Sequence, residues 1–385
     1  MGRFRDALAA PGLAAIAEVK RRSPSAGDLR PDADPAALAA GFERAGAAAV
    51  SILVDERFAG SIEDLRSARE AARLPLLAKG FFTEEAQLDE LQAAGADAAL
   101  LILRDLDDRR AAALMAHAAA LGLDTLVETH DVGELARAEA LGADPIGVNA
   151  RDLSTFAIDR SVQLDLVARA PRNRAVVAES AVHSRAQGAE AELAGADAVL
   201  IGTALMRAPD PAARLVELTS RPLVKICGLT REEDVAAAAE AGADLCGFIL
   251  VDASPRRAAR VLPVPDGVLA VTVLVGEASP VDTELVQLYP PEQGKVRGRD
   301  AVLLRRGEQV ATVVDLPWES PDDTHLERAR TTRGRVVLAG GLGPENVRDA
   351  IDAVQPWAVD ASSSLEVAPG VKDHDRVRSF VEAAR

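Results

Sequence analysis

Glu18 and Lys20 stand two residues apart at the end of an apolar run, and Lys79, Glu128, Asn149 and Glu179 with Ser180 end further runs. In an extended strand, residues two apart point to one face, so Glu18 and Lys20 share a face. Charges turned inward are costly unless they are paired or used. Any one of these positions alone reads as a strand-end charge reaching solvent, but together they describe one convergent constellation. Two lysines among three glutamates push each other's pKa values apart, which supplies proton donors and acceptors near neutrality. In the second half, Cys227 ends a short apolar run and is followed by Gly228, while Asp315 ends another. A helix is expected to open directly after Cys227, with Thr230 and Glu233 as its capping box. A thiol near that terminus and near Lys225 is expected to have a lowered pKa and to act as a base, with Asp315 as its acid partner. Cys246, inside an apolar run, reads as a buried, inert thiol.

Anion sites are the second chemical signal. Ala178-Glu179-Ser180-Ala181-Val182 and Ile201-Gly202-Thr203-Ala204-Leu205 put small residues at strand ends, where backbone N–H groups can cradle phosphate. Lys20 and Arg151 could add charge there. Gly340-Gly341-Leu342-Gly343 and Asp360-Ala361-Ser362-Ser363 suggest a similar cradle in the second half. Ser23 and Pro24 begin an extended loop at the lip of the first constellation.

The elements that must position these groups are short strands alternating with Ala- and Leu-rich helical stretches. Strands are expected over 13–19, 48–54, 75–79, 98–103, 124–128, 145–149, 175–180 and 198–202, then 223–227, 245–250, 268–275, 285–289, 301–305, 311–315, 336–340 and 358–362. Eight units per half predict an α/β protein of two tandem (β/α)8 TIM barrels, residues 1–220 and 221–385, whose strand ends converge on a catalytic mouth. A flat, doubly wound sheet is the competing α/β arrangement, but it handles neither the even spacing nor the inward charges. A Gly-Ala-Asp cadence recurs at Gly95, Gly142, Gly195 and Gly242, where a positive φ is expected after each helix.

A net charge of −16 argues against broad nucleic-acid or anionic-membrane surfaces and leaves small anions bound locally. Two cysteines, no apolar run of spanning length and no signal-peptide core point to the cytoplasm. The five histidines show no metal-ligand spacing, so neither a metal nor an organic cofactor is expected. A monomer is the expected state.

Ile16 to Ser25, Val127-Glu128-Thr129-His130, Gly147-Val148-Asn149-Ala150-Arg151-Asp152-Leu153 and Ala178-Glu179-Ser180 closely resemble indole-3-glycerol-phosphate synthase over residues 3–216. The resemblance implies ring closure of 1-(2-carboxyphenylamino)-1-deoxyribulose 5-phosphate with loss of CO2 and water. It implies Lys79 as the general acid, Lys20 at the carboxylate or phosphate end and Glu128 in dehydration. Glu18, Asn149 and Glu179 would position and polarise the substrate, and Ser180, Ala181, Gly202 and Thr203 would cradle phosphate with Arg151. Three departures stand out: the chain begins almost at the first strand, without the family's helical extension over the mouth; Gly80 replaces an Asp; and Ala181 replaces a Gly.

Lys225 to Thr230, Gly247-Phe248-Ile249 with Ser254-Pro255-Arg256, Gly340 to Pro344, and Asp360 to Ser363 through Pro369-Gly370-Val371-Lys372-Asp373 resemble phosphoribosylanthranilate isomerase over about residues 222–385. That implies an Amadori rearrangement with Cys227 as base, Asp315 as acid and Arg256 on the anthranilate carboxylate. Here Tyr289-Pro290 replaces an expected His-Gly, and Leu316-Pro317-Trp318-Glu319-Ser320 replaces a Gly-rich loop. The two resemblances together imply consecutive steps of tryptophan biosynthesis on phosphosugar-anthranilate substrates. The alternatives are a synthase joined to a drifted phosphosugar isomerase, or to a non-catalytic scaffold.

Overall fold

The computed structural model describes residues 2–24, 26–151, 158–277, 280–291, 300–316 and 324–385. The chain divides into two compact units, residues 1–183 with 187–219, and residues 220–385 with 184–186.

The first unit is a closed barrel of eight parallel strands: β1 (Ala14–Val19), β2 (Ala49–Leu53), β3 (Leu76–Lys79), β4 (Ala98–Ile102), β5 (Asp124–Thr129), β6 (Ile146–Asn149), β7 (Val176–Glu179) and β8 (Ala198–Ile201). β8 closes the ring by pairing with β1, Ala14 opposite Ala198. The period of two sorts each strand's side chains. Ile16, Leu77, Leu126 and Val177 fill the barrel interior, while Ala17, Ala78, Val127 and Ala178 pack outward against the helices. The next inward positions on those strands are Glu18, Lys79, Glu128 and Glu179, so the charges continue the stripe that fills the core.

The Gly-Ala-Asp cadence is a strand tie. Gly95, Gly142, Gly195 and Gly242 all carry positive φ, as the turn requires. Each following Asp accepts the N–H of a residue entering a neighbouring strand: Asp97 from Leu76, Asp144 from Ala175, Asp197 from Val176 and Asp244 from Val224.

The expected start at the first strand is corrected by a helix at Arg3–Leu8. Its Phe4 and Leu8 are fully buried among Ile16, Ala49, Leu77 and Ala98, and the N–H of Arg5 bonds Asp124 at the start of β5. The helix therefore seals the floor of the barrel, opposite the mouth.

The second unit also closes with eight strands: β9 (Leu223–Ile226), β10 (Leu245–Ile249), β11 (Leu269–Val275), β12 (Leu285–Tyr289), β13 (Asp300–Arg305), β14 (Glu308–Val314), β15 (Val336–Leu338) and β16 (Ala358–Ala361). It departs from strict β/α alternation at β13, which runs antiparallel to both β12 and β14. Arg306 and Gly307 join β13 to β14 with φ of 50° and 88°, the positive values that a two-residue type I′ turn needs. Among the described residues no helix lies between β10 and β14. Pro255, Pro263 and Pro265 break the first interval, and the gap from Val275 to Leu285 is too short for a crossover helix.

The helix after β9 begins at Glu232 with Arg231 at its N-cap, which corrects the expected capping box. Arg231 pairs with Glu233 and Asp234, and the Thr230 hydroxyl donates instead to the carbonyl of Gly370.

If Phe4 seals the floor, Phe4→Ala should lower unfolding stability by about 3–5 kcal/mol. Urea denaturation of the full chain checks this, and an unchanged first transition would refute it.

Candidate active site

The first mouth encloses a cavity of about 680 Å³ lined by Glu18, Lys20, Ser23, Pro24, Lys79, Glu128, Asn149, Arg151, Ser180, Ala181, Gly202 and Thr203. Glu179 is fully buried, with Lys79 Nζ donating to its Oε2 at 2.6 Å. Glu18 Oε2 and Glu128 Oε2 each stand 3.7 Å from the same Nζ, and Lys20 pairs with Glu18 at 2.5 Å. The structure thus brings together every residue the sequence placed in this site. Ser25, Asp152 and Leu153 of the quoted motifs lie outside the described residues.

Burial alone would favour neutral Lys79, but Glu179, Glu18 and Glu128 outweigh it and hold the ammonium charged. Burial would likewise raise Glu18, yet Lys20 and Lys79 bring it below the usual carboxylate range. Burial raises Glu128 too, but His130 and Lys79 pull it down to about 2. Glu179, the deepest, goes the other way: burial pushes it up to about 8 against the pull of Lys79, with Glu128 adding repulsion. Carboxylates with opposite shifts around one ammonium make a proton-sharing centre.

Asn149 links strand ends, its Oδ1 accepting from the Ser180 hydroxyl at 2.9 Å and from the Arg151 N–H at 3.0 Å. One wall was not anticipated from sequence. The Phe58 and Phe81 rings stack with centroids 6.4 Å apart, and the Arg57 guanidinium lies 3.6 Å from the Phe81 centroid. The available signal was position, since Phe81 follows immediately beyond the Lys79 strand end.

The second mouth holds a cavity of about 560 Å³ lined by Cys227, Arg256, Tyr289, Asp315, Gly340, Gly341, Asp360, Ser362 and Ser363, among others. Lys225, buried on β9, donates to Gln287 Oε1 and Asp360 Oδ2, both at 2.7 Å. Gln287 Nε2 donates to the Tyr289 hydroxyl at 3.0 Å, which donates to Asp315 Oδ2 at 2.7 Å. Arg256 Nε donates to Glu366 at 2.9 Å, and Lys372 also binds Glu366, at 2.9 Å. Sequence reasoning quoted Gln287 and Lys372 only as members of motifs, without a role, and did not name Glu366; the links of Gln287 to Lys225 and of Glu366 to Arg256 join distant segments of the chain. Of the loop after Asp315, only Leu316 is described.

The expected lowering of Cys227 is corrected: burial raises the thiol's pKa, and Lys225 offsets only part of it. Cys246 is fully buried and pushed to about 12, chiefly by burial and then by Cys227. Burial also raises Asp315, opposed by the Tyr289 hydroxyl and reinforced by Asp360.

A family model described as indole-3-glycerol phosphate synthase matches residues 2–218. The chain belongs to the indole-3-glycerol phosphate synthase family. A model for N-(5'-phosphoribosyl)anthranilate isomerase matches residues 307–383. The chain is 49% identical over 209 residues to indole-3-glycerol phosphate synthase 2 of Streptomyces coelicolor, covering 54% of this chain and 81% of that one. It is 50% identical over 214 residues to the synthase of Leifsonia xyli, covering 55% and 82%. A crystal structure of phosphoribosyl anthranilate isomerase from Thermotoga maritima is 31% identical, with 43% of this chain and 98% of that one covered, at a TM-score of 0.33.

Within the synthase barrel, backbone geometry bears on four small residues. A Cβ on Gly147 would fall 2.2 Å from Glu179 Oε1, and one on Gly202 would fall 2.2 Å from Glu18 Oε1, so both glycines make room for carboxylates. A Cβ on Gly80 would fall 2.8 Å from the Phe82 ring, so an Asp there requires that ring to move. Ala181 has φ of 61°, a left-handed conformation that a glycine adopts without the Cβ penalty. Two outcomes follow from this geometry. Ala181→Gly should raise stability by up to about 1 kcal/mol, read as a shift in thermal midpoint. Gly147→Ala should displace Glu179 and cut first-barrel turnover at least about tenfold, and full activity in that variant would count against the packing argument.

Proposed function

We infer that the chain catalyses two consecutive steps of tryptophan biosynthesis, a lyase step in the first barrel and an isomerase step in the second. The observation that carries the first assignment is the charged Lys79 ammonium ringed by Glu18, Glu128 and Glu179 at the mouth of a synthase-family barrel. The substrate is 1-(2-carboxyphenylamino)-1-deoxyribulose 5-phosphate. Lys79 protonates its ribulose carbonyl as the aryl carbon attacks, and CO2 and then water are lost. Glu128, held ionised, serves the dehydration as proton acceptor. Lys20 holds the carboxylate or phosphate end and assists proton delivery. Glu18, Asn149 and Glu179 fix the geometry. The phosphate lies on the backbone of Ser180, Ala181, Gly202 and Thr203 with Arg151, and Ser23 and Pro24 form the lip. Phe58 and Phe81, which both line the cavity, give it an apolar side suited to the anthranilate ring.

The second barrel performs the Amadori rearrangement of N-(5-phosphoribosyl)anthranilate. Asp315, whose proton burial helps to retain, opens the ribose ring, and Cys227 takes the C2′ proton. Cys227 acts from its thiolate form, which the neighbouring Lys225 ammonium favours against burial, and becomes the thiol on taking that proton. Arg256, oriented by Glu366, meets the anthranilate carboxylate, and Gly340, Gly341, Asp360, Ser362 and Ser363 frame the phosphate end. Cavity lining, the isomerase-model match over residues 307–383 and the Tyr289–Asp315 bond support this reading. Both reactions are proton transfers around a phosphosugar and call for no organic cofactor.

A coupled assay started with phosphoribosylanthranilate should consume anthranilate fluorescence and form indole-3-glycerol phosphate. Lys79→Ala should leave the first conversion intact and slow the second by about 10²–10⁴-fold, so that the deoxyribulose phosphate accumulates. Cys227→Ala should block the first conversion by a similar factor while turnover of supplied deoxyribulose phosphate persists. Unimpaired isomerisation by Cys227→Ala would remove the thiol from the mechanism.

A further inference from the structure

His130 follows β5 with a carboxylate on each side, hydrogen-bonded to one and in close ionic contact with the other. Its Nδ1 lies 3.0 Å from Glu134 Oε2, one turn along the helix Val132–Ala140. Glu134 Oε2 also accepts the backbone N–H of His130 at 2.8 Å, so the carboxylate grips both the ring and the chain that carries it. On the other side, Nε2 lies 3.1 Å from Glu128 Oε1, while Glu128 Oε2 faces Lys79 at 3.7 Å. The His130 side chain is only 5% exposed, so water screens these contacts weakly. Carboxylate, imidazole, carboxylate and ammonium thus form one line from the outer helix to the centre of the mouth.

We propose that His130, buttressed by Glu134, is a positioning residue of the first-barrel reaction, whose imidazolium fixes Glu128 and keeps it in the carboxylate form that accepts a proton. The proposal rests on the synthase reading of that barrel.

The physical need is visible in the surroundings. Lys20 pairs with Glu18, and Glu179, pushed up to about 8, holds a proton at neutrality, but Lys79 gives its hydrogen bond to Glu179 at 2.6 Å and stands 3.7 Å from Glu128, a carboxylate only 2% exposed. Without a second cation, burial would drive a proton onto Glu128 and turn an acceptor into a donor. The imidazolium supplies that cation from the side of the barrel, where it occupies no space in the substrate cavity. The other charged groups on elements around this corner are Asp131, which caps the helix, Arg137 further along it, and Arg104 and Asp105 beyond β4. Burial disfavours the protonated ring, but Glu128 and Glu134 outweigh it and raise the ring's pKa to about 9.

The raised value fixes the sign of a pH effect. Protonation of His130 is favoured in the folded state, so its stabilising contribution is complete below the ordinary histidine range and fades as pH rises through about 9.

The test uses the full chain and two kinds of readout. In a proton-NMR titration, the His130 resonance, assigned by its absence in His130→Gln, should titrate near pH 9 and fall by about one pH unit or more in Glu134→Gln. With supplied carboxyphenylamino-deoxyribulose phosphate, His130→Gln should lower kcat about tenfold with KM within about twofold, and move the acid limb of kcat to higher pH. Glu134→Gln should show a smaller shift in the same direction. A His130 ring titrating below about 7 in the unmodified chain, or an acid limb that stays in place in His130→Gln, overturns the proposal. Absence of turnover in the unmodified chain would instead count against the synthase reading, and the titration would still decide the state of the ring.

Discussion

The ammonium of Lys79 is the charge on which the first barrel depends. Three carboxylates converge on it inside a ring of parallel strands, where burial makes each of them costly on its own. Removing the cation would leave uncompensated negative charge in a region that cannot hydrate it. The strands can bring these groups so close because each charge sits two residues beyond a core side chain of the same inward stripe. Packing and chemistry therefore share one geometric rule: the residues that fill the barrel fix the direction of the residues that react.

That rule explains what could be read from the chain before any coordinates. The pairs Ile16 and Glu18, Leu77 and Lys79, Leu126 and Glu128, and Val177 and Glu179 carry the period of two openly, and the recurring Gly-Ala-Asp marks where each new strand begins. The mouth, its lining residues and the closed ring follow from that pattern together with the resemblance. His130 and Glu134 stand four residues apart, but that the ring turns its other nitrogen to Glu128 depends on side-chain rotation at the end of β5, which no spacing in the sequence displays. The stacking of Arg57, Phe58 and Phe81 joins two loops from different strands and was equally hidden. Cys227 shows a different gap, since its neighbours suggested an activated thiol while the depth of its burial, visible only in three dimensions, raises its pKa.

The second barrel shows how much reorganisation a closed sheet tolerates. Among the described residues no helix follows β10 or β11, whose intervals carry Pro255, Pro263, Pro265 and Pro280, and β13 then runs antiparallel to both of its neighbours. The reversal turns the C-terminal end of that strand away from the mouth and brings Asp300 there instead, where it pairs with Arg328 and accepts the N–H of Asp315. Tyr289 then reaches past the reversed strand to bond Asp315. The aromatic hydroxyl at this position is thus tied to the altered topology, and the residue expected to hold a proton is secured by groups that arrive on either side of it.

The turn at Arg306-Gly307 bears on how each barrel is assembled. In the first barrel, every pairing within the sheet joins strands separated by an intervening helix or turn, so closure of large chain loops must precede each contact. In the second, Leu304 faces Gln309 across a connection of two residues, and this pairing can form while the rest of the ring is still open. The same closed shape is therefore reached from unlike starting points: the first ring closes through crossovers alone, its local hairpin at Arg22–Ser23 and Gly27–Asp28 lying outside the ring, and the second carries within its ring a local seed on which the remaining strands can add.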